Sequence, residues 1–184
     1  MQPQMTTDHL APLRAAIHDR KITAPPHPWI EIARYCVAGL FNIGFHRDSE
    51  LLFVVSSSGR GVFDCLTGAK IARDYADDVL TDAYLECEGI GPLAGMNIRT
   101  SGISGGGLPV ASPDGWCVET VTLSWPEHHL LLVEPGSWLY GERYKQPCTF
   151  HKLAVERELR AFGFSWSGKS LVIATSGELV VYRR

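Results

Sequence analysis

The chain contains no run of about 18 apolar residues, so no membrane-spanning helix is expected. It has no excess of basic residues either: 17 Lys and Arg stand against 20 Asp and Glu, a net charge of −3. General affinity for nucleic acid or for membrane surfaces needs the opposite balance, because phosphates are held by clustered Lys and Arg. No Cys-x-x-Cys pair occurs. The five cysteines (Cys36, Cys65, Cys87, Cys117, Cys148) lie 22 to 31 residues apart. Their odd number and wide spacing predict reduced, mostly buried thiols in a cytoplasmic protein, with a single disulfide as the alternative. Close Cys/His ligand spacing is absent, so no metal and no cofactor is expected. The opening stretch, MQPQMTTDHLAPLRAAIHDRK, lacks a basic start followed by an apolar core and does not read as a secretion signal.

What is present is an ordinary globular composition: 184 residues, 45% apolar and 20% charged. That length suits one domain, or one domain with an appendage. Its most informative feature is self-similarity. LSWPEHHLLLVEPGSWLY (123–140) aligns without a gap on FSWSGKSLVIATSGELVV (164–181). Ser124-Trp125 falls on Ser165-Trp166, Leu130 on Leu171 and Gly136 on Gly177. A third copy is GFHRDSELLFVVSSSGRGVFD (44–64). Gly44-Phe45 matches Gly163-Phe164, Leu52 matches Leu171, and after one insertion Ser57 and Gly59 match Ser176 and Gly177. The spacing is one period near 40 residues and one gap of two periods, so a degenerate copy is expected around 84–104.

Each unit reads as a meander. A first strand ends in an aromatic. A polar turn follows (Arg47-Asp48-Ser49-Glu50, Pro126-Glu127-His128 or Ser167-Gly168-Lys169). The next run, LLFVV, LLLV or LVIA, is apolar on both faces, as an enclosed inner strand must be. A glycine turn then leads to a third strand, GVFDC, SWLYG or ELVVY, with Gly supplying the turn conformation. In the first copy CLTGAKIARDY adds a fourth strand. This pattern resembles a β-propeller blade of the WD-repeat type over roughly 30–184. The resemblance rests on turns and strands, since no Gly-His or Trp-Asp signature pair is present. It implies about four units in a small ring or an open stack. A sandwich of similar hairpins is the alternative.

The expected fold class is therefore mainly β: repeated antiparallel meanders, small or incomplete and propeller-like or a β-sandwich, with a short N-terminal helix. Residues 1–28 form a helix and Pro-rich connector, and 29–184 form a single all-β repeat domain. Thr7 and Asp8 are placed to cap a helix bearing Leu10, Leu13, Ala16 and Ile17 on one face. TAPPHP (23–28) ends it. The helix is expected to cover an open end or sheet edge.

Few residues suggest chemistry. Gly102-Ile103-Ser104-Gly105-Gly106 matches the G-x-S-x-G elbow, but that device needs a helix leaving the serine, and Pro109 and Pro113 oppose one. A flexible glycine loop is the plainer reading. No Gly-Lys-Ser/Thr follows the run, so it is not a P-loop. Neighbours on a strand face opposite ways, so His128 and His129 do not share a metal and are expected in an exposed turn. His46 is assigned to a turn and His151 to a half-buried position. Trp125 and Trp166, in equivalent repeat positions, are expected in the core.

The strongest functional signal is acidic. Asp74, Asp77, Asp78, Asp82, Glu86 and Glu88 follow Arg73 with no basic residue among them, and Tyr75 and Tyr84 are interspersed. Such a rim attracts a cationic partner and offers aromatic anchors. Trp116, just after a turn, is expected to join it as an exposed residue. The bland alternative is a solvated face. The expected function is a non-enzymatic protein-binding module with a basic protein partner, in one specific form a bacterial immunity protein covering a nuclease-type toxin. A module that completes itself by dimerisation and a hydrolase using Ser104 are the alternatives.

Overall fold

The computed structural model describes residues 8–75 and 85–184. In chain order the helix is α1 (Ala11–Asp19), followed by β1 (Ile30–Cys36), β2 (Leu40–Phe45), β3 (Leu51–Ser56), β4 (Gly59–Asp64) and β5 (Ala69–Arg73). Then come β6 (Glu86–Glu88), β7 (Asn97–Arg99) and β8 (Ser101–Gly102), with a 3-10 turn at Gly91–Leu93 inside the β6–β7 hairpin. The remaining strands are β9 (Cys117–Ser124), β10 (Glu127–Val133), β11 (Phe150–Glu156), β12 (Leu159–Phe164), β13 (Ser170–Thr175) and β14 (Glu178–Arg183). The protein is mainly β, built of several antiparallel sheets with one short helix and no closed barrel. Among the described residues no helix is long and apolar enough to cross a membrane.

Three sheets form the body. Sheet I has the order β5-β4-β3-β2-β8, sheet II β1-β14-β13-β12, and sheet III β11-β10-β9. They stack as layers, and strand periodicity shows why. In β3, Leu52 and Val54 face sheet II while Phe53 and Val55 face the β6–β7 hairpin. In β13, Val172 and Ala174 face sheet I while Leu171 and Ile173 face sheet III. In β10, Leu130 and Leu132 face sheet II, whereas Leu131 and Val133 face α1. The inner runs of these strands, LLFVV, LLLV and LVIA, are apolar at successive positions because both faces are enclosed. Every Val, Leu, Ile or Phe enclosed this way contributes about 1.5–3 kcal/mol relative to exposure.

The two ends of the stack are closed by different devices. On sheet III, α1 buries Ile17 against Leu131, Val133, Leu139 and Phe150. On sheet I, the β6–β7 hairpin lays Cys87, Leu93 and Ile98 on Phe53, Val55 and Val62. The segment expected to hold a degenerate repeat is this cap and not a further meander. α1 starts at Ala11, with Leu10 as its N-cap and no side-chain cap; Asp8 accepts from the Leu10 N–H one turn earlier at 3.1 Å. Thr7 lies outside the described residues, and Ala16 faces solvent. The connector then runs along the edge of β11: Ile22 bridges Lys152, and the Thr23 N–H donates to the Lys152 carbonyl at 3.1 Å.

Two of the three repeat copies are equivalent in space. Phe45 pairs with Leu52 and Phe164 pairs with Leu171, in the same register. The third copy is not. Leu130 pairs with Thr120, because a two-residue loop, Trp125-Pro126, shortens the hairpin. Sheet III also points the other way. Its 124–127 turn adjoins the lower end, where Glu127 meets Arg157 and Ser176 meets Glu158. The turns 46–50 and 165–169 lie together at the upper end, where Glu50 accepts from the Ser167 and Ser170 hydroxyls at 2.5 Å each. Trp125 and Trp166 therefore sit at opposite ends. They project from turns beyond the sheets, 80% and 50% exposed, which corrects their placement in the core. The core positions belong to Trp29 and Trp116. The expected third strand at 137–141 is also absent; residues 134–149 form a loop with a 3-10 turn at Gly141–Tyr144 before β11 begins.

A strap spanning 101–112 ties the three sheets along one side. Ser101 and Gly102 pair with β2. The Phe164 N–H of β12 donates to the Pro109 carbonyl at 2.7 Å, and the Val118 N–H of β9 donates to the Val110 carbonyl at 2.9 Å. The repeat-matched glycines have their reason in close contacts, Gly44 with β7 and Gly163 with the strap. A Cβ on Gly44 would lie 2.2 Å from the Arg99 carbonyl oxygen, and one on Gly163 would lie 2.6 Å from Leu108 Cβ. Gly163 also has φ +148°, which disfavours a side chain. Gly163→Ala is expected to lower stability by about 1–3 kcal/mol, read as a fall in the urea midpoint. Gly177→Ala, where an added Cβ meets nothing within 4 Å, is expected to stay within about 0.5 kcal/mol of wild type.

Beneath α1, β10 and β11 bury two ionisable groups. His129 is 6% exposed, and its Nδ1 has no hydrogen-bond partner among the described residues. The buried Lys152 donates from Nζ to the His18 carbonyl at 3.2 Å, tying β11 to the end of α1. His129 therefore lies in a turn no longer, as expected from sequence, but on the enclosed face of a strand. Burial lowers its pKa below the ordinary 6.5; the charges of Lys152 and His18 push it the same way, and Glu127 opposes them. Burial likewise lowers the pKa of Lys152, with Asp19 opposing, and raises that of Glu119 on β9. The fold thus accommodates the neutral imidazole. Above about pH 6.5 folded and unfolded chains both carry it neutral, and below that the unfolded chain binds the proton first, so stability falls with pH. Urea midpoints measured from about pH 7.5 down to about pH 5 should fall more steeply for wild type than for His129→Gln.

Candidate functional surfaces

The acidic rim begins where β5 ends. Asp74 turns back onto β4: its carboxylate accepts from Arg60 Nη2 at 2.5 Å, Arg60 Nε at 3.0 Å and the Arg60 N–H at 3.1 Å. That pairing raises the arginine pKa further above its usual value. Arg60 also donates to the Glu88 carbonyl at 3.0 Å, which joins the rim to the β6–β7 cap. Asp74 is thus an internal partner that closes the sheet edge. Tyr75 is 74% exposed, with the Arg73 guanidinium 4.6 Å above its ring. Glu86 stands opposite Arg99 in the β6–β7 register, and Glu88 opposite Asn97 with its side chain toward solvent. Asp77, Asp78, Asp82 and Tyr84 lie outside the described residues.

Trp116 does not belong to this surface. It is 6% exposed, its ring edge-on to Trp29 with centroids 6.0 Å apart. The turn before β9 folds it inward: Ser112 Oγ accepts from the Trp116 N–H at 3.0 Å and donates to Asp114. Asp114 in turn holds Arg184, whose guanidinium lies 5.0 Å over the Trp29 ring. Arg184 and the Ser112 hydroxyl keep the Asp114 carboxyl well below the usual carboxylate range. The expectation of an exposed Trp116 fails because this network seals sheet II against sheet III at the upper end.

Ser104 occupies an exposed turn closed by the Gly102 N–H donating to the Gly105 carbonyl at 2.9 Å. The next regular element is β9, so the strand–turn–helix geometry of a nucleophile elbow is not formed. All five cysteines are free thiols. Cys65 and Cys87 are buried, Cys117 and Cys148 half-buried and Cys36 exposed. Among the described residues no group of three or more His, Cys, Asp or Glu side chains is placed to hold a metal ion.

An aromatic platform that the sequence reading missed lies beside α1. The 134–149 loop presents Trp138, Tyr140 and Tyr144, all substantially exposed. Trp138 stacks on Tyr144 at 5.0 Å and meets Tyr140 edge-on at 6.0 Å. The loop is cross-braced: the Trp138 N–H donates to the Pro147 carbonyl at 3.0 Å, and the Gln146 N–H to the Gly141 carbonyl at 3.0 Å. Leu139 is buried underneath against α1 and sheet III. The signal was present as three aromatics within SWLYGERY, but it was absorbed into a supposed strand.

A third surface is a cleft of about 760 Å³ at the upper end, between sheets I and II and the β6–β7 cap. His46 and Arg47 reach it from the β2–β3 turn, Trp166 from the β12–β13 turn, Glu86 from β6, Arg99 from β7, and Gly107 to Pro109 from the strap. The Arg47 guanidinium lies 5.7 Å from the Trp166 ring centroid. Comparison with known protein families, with curated proteins and with solved structures finds no match to this chain.

Proposed function

We propose that the chain is a non-enzymatic protein-binding module. The observation that carries this reading is the Trp138, Tyr140 and Tyr144 platform. Interface hot spots are enriched in Trp, Tyr and Arg, and Arg143 lies beside Tyr144, 5.6 Å from its ring. The braced loop holds these rings before any partner arrives, which reduces the ordering cost of association.

A second reading keeps the basic partner. Tyr75 stands exposed at the end of β5, an edge strand, and Glu88 faces solvent nearby. A basic protein would dock on this rim; an immunity protein covering a nuclease-type toxin is the specific form that charge and size suit. Self-assembly through sheet edges is the remaining form.

Binding assays with the partner recovered from the native host separate these forms. With the platform as anchor, Trp138→Ala and Tyr144→Ala each weaken a stoichiometric complex about 30-fold, the effect of losing about 2 kcal/mol. Tyr75→Ala with Glu88→Gln then leaves it unchanged. The reverse pattern, with a basic partner, establishes the acidic rim. A chain that yields no stoichiometric complex and sediments as a strict monomer contradicts the binding reading.

A further inference from the structure

We propose that the upper-end cleft is a binding site for a small anionic ligand carrying a flat ring, of the nucleotide class. The inference goes beyond the protein-binding reading and rests on different residues. Charge in the cleft favours an anion. The molecule is net negative, yet this cleft presents two guanidinium groups, Arg47 and Arg99, and neither takes part in an ion pair among the described residues. Glu86 also lines the cleft, opposite Arg99, so among the described lining residues arginine exceeds carboxylate by one charge. The other described acids nearby do not cancel it. Glu50 is buried with its carboxylate oxygens taken by Ser167 and Ser170, and Asp48 is exposed on the turn outside the lining. Arginine forks match phosphate oxygens two at a time, which an ammonium cannot do.

The cleft also has the shape of a small-molecule site. The volume of about 760 Å³ lies in the range of small-molecule sites. Trp166 puts a half-exposed indole on one wall, already near the Arg47 guanidinium. A flat ring gains stacking energy there while its phosphate reaches the arginines. The floor is apolar, from Phe45, Ile98 and Leu108.

The cleft walls are braced. The two turns that carry Arg47 and Trp166 are joined by the Glu50 hydrogen bonds to Ser167 and Ser170, and His46 Nδ1 is 2.8 Å from Ser49 Oγ. The walls are fixed in position before a ligand enters.

The test is a titration with adenosine 5′-monophosphate, adenosine and inorganic phosphate, followed by NMR at the Trp166 indole N–H, assigned through Trp166→Phe. The proposal expects a saturable shift with the monophosphate and at least tenfold weaker responses to adenosine and to phosphate. Arg47→Ala and Arg99→Ala should each weaken binding tenfold or more. Gly107→Leu, where an added Cβ meets open space on the cleft lining, should abolish it while the urea midpoint stays unchanged. Absence of a saturable shift at millimolar monophosphate overturns the proposal. So does equal affinity for adenosine, full binding by the doubly substituted arginine variant, or a response to an acidic peptide in place of the nucleotide.

Discussion

Everything in this structure follows from strands that are apolar on both faces. LLFVV, LLLV and LVIA cannot lie on a two-layer surface without leaving half their side chains in water. β3, β10 and β13 must each be enclosed from both sides, and the chain achieves this by stacking three sheets. A stack has two ends, so the same constraint demands two caps. α1 and the β6–β7 hairpin are those caps, one made of helix and the other of strand, and they cover Leu131 and Val133 at one end and Phe53 and Val55 at the other.

Stacking also leaves sheet edges. The strap at 101–112 answers on one side, lending backbone groups to β2, β12 and β9 in turn. Its glycine run, which as sequence suggested a loop or a weak catalytic motif, is the stretch that passes from sheet I toward sheet II. The close approach of β7 to β2 forces glycine at 44, and that of the strap to β12 forces glycine at 163. The repeat signature is therefore partly the imprint of a contact and not solely of common hairpin design. On the other side, the connector after α1 lies along β11, and β1 extends sheet II beyond β14.

Much of the architecture was legible from sequence because burial writes itself into period-two patterns. The hairpins of sheets I and II, their turns and the fourth strand β5 follow from apolar runs and glycine positions. Sheet III misled for a physical reason. Ser124-Trp125 and Ser165-Trp166 look alike because both begin a tight turn at a strand end, and turn chemistry carries no information about which end of a stack the turn occupies. For the same cause Trp125 and Trp166 read as core. His129 reads as turn because the polar run Pro126-Glu127-His128 reads as the turn, whereas the loop is only Trp125-Pro126 and β10 begins at Glu127. The acidic rim was visible as composition, but composition could not show that Asp74 is consumed by Arg60. The platform and the cleft were hidden, since one sits in a mistaken strand and the other gathers residues from five separate segments.

The packing that holds the fold is done in the interior, leaving turns and loops free to carry exposed aromatics and arginines. The direct test of the stack is native-state hydrogen exchange, resolved by residue. If the sheets are layered as described, the amides of β13 and β14 exchange only through global unfolding, while those of α1 and the β6–β7 cap open at lower free energy. Exchange from β13 and β14 as rapid as from the two caps would contradict the account.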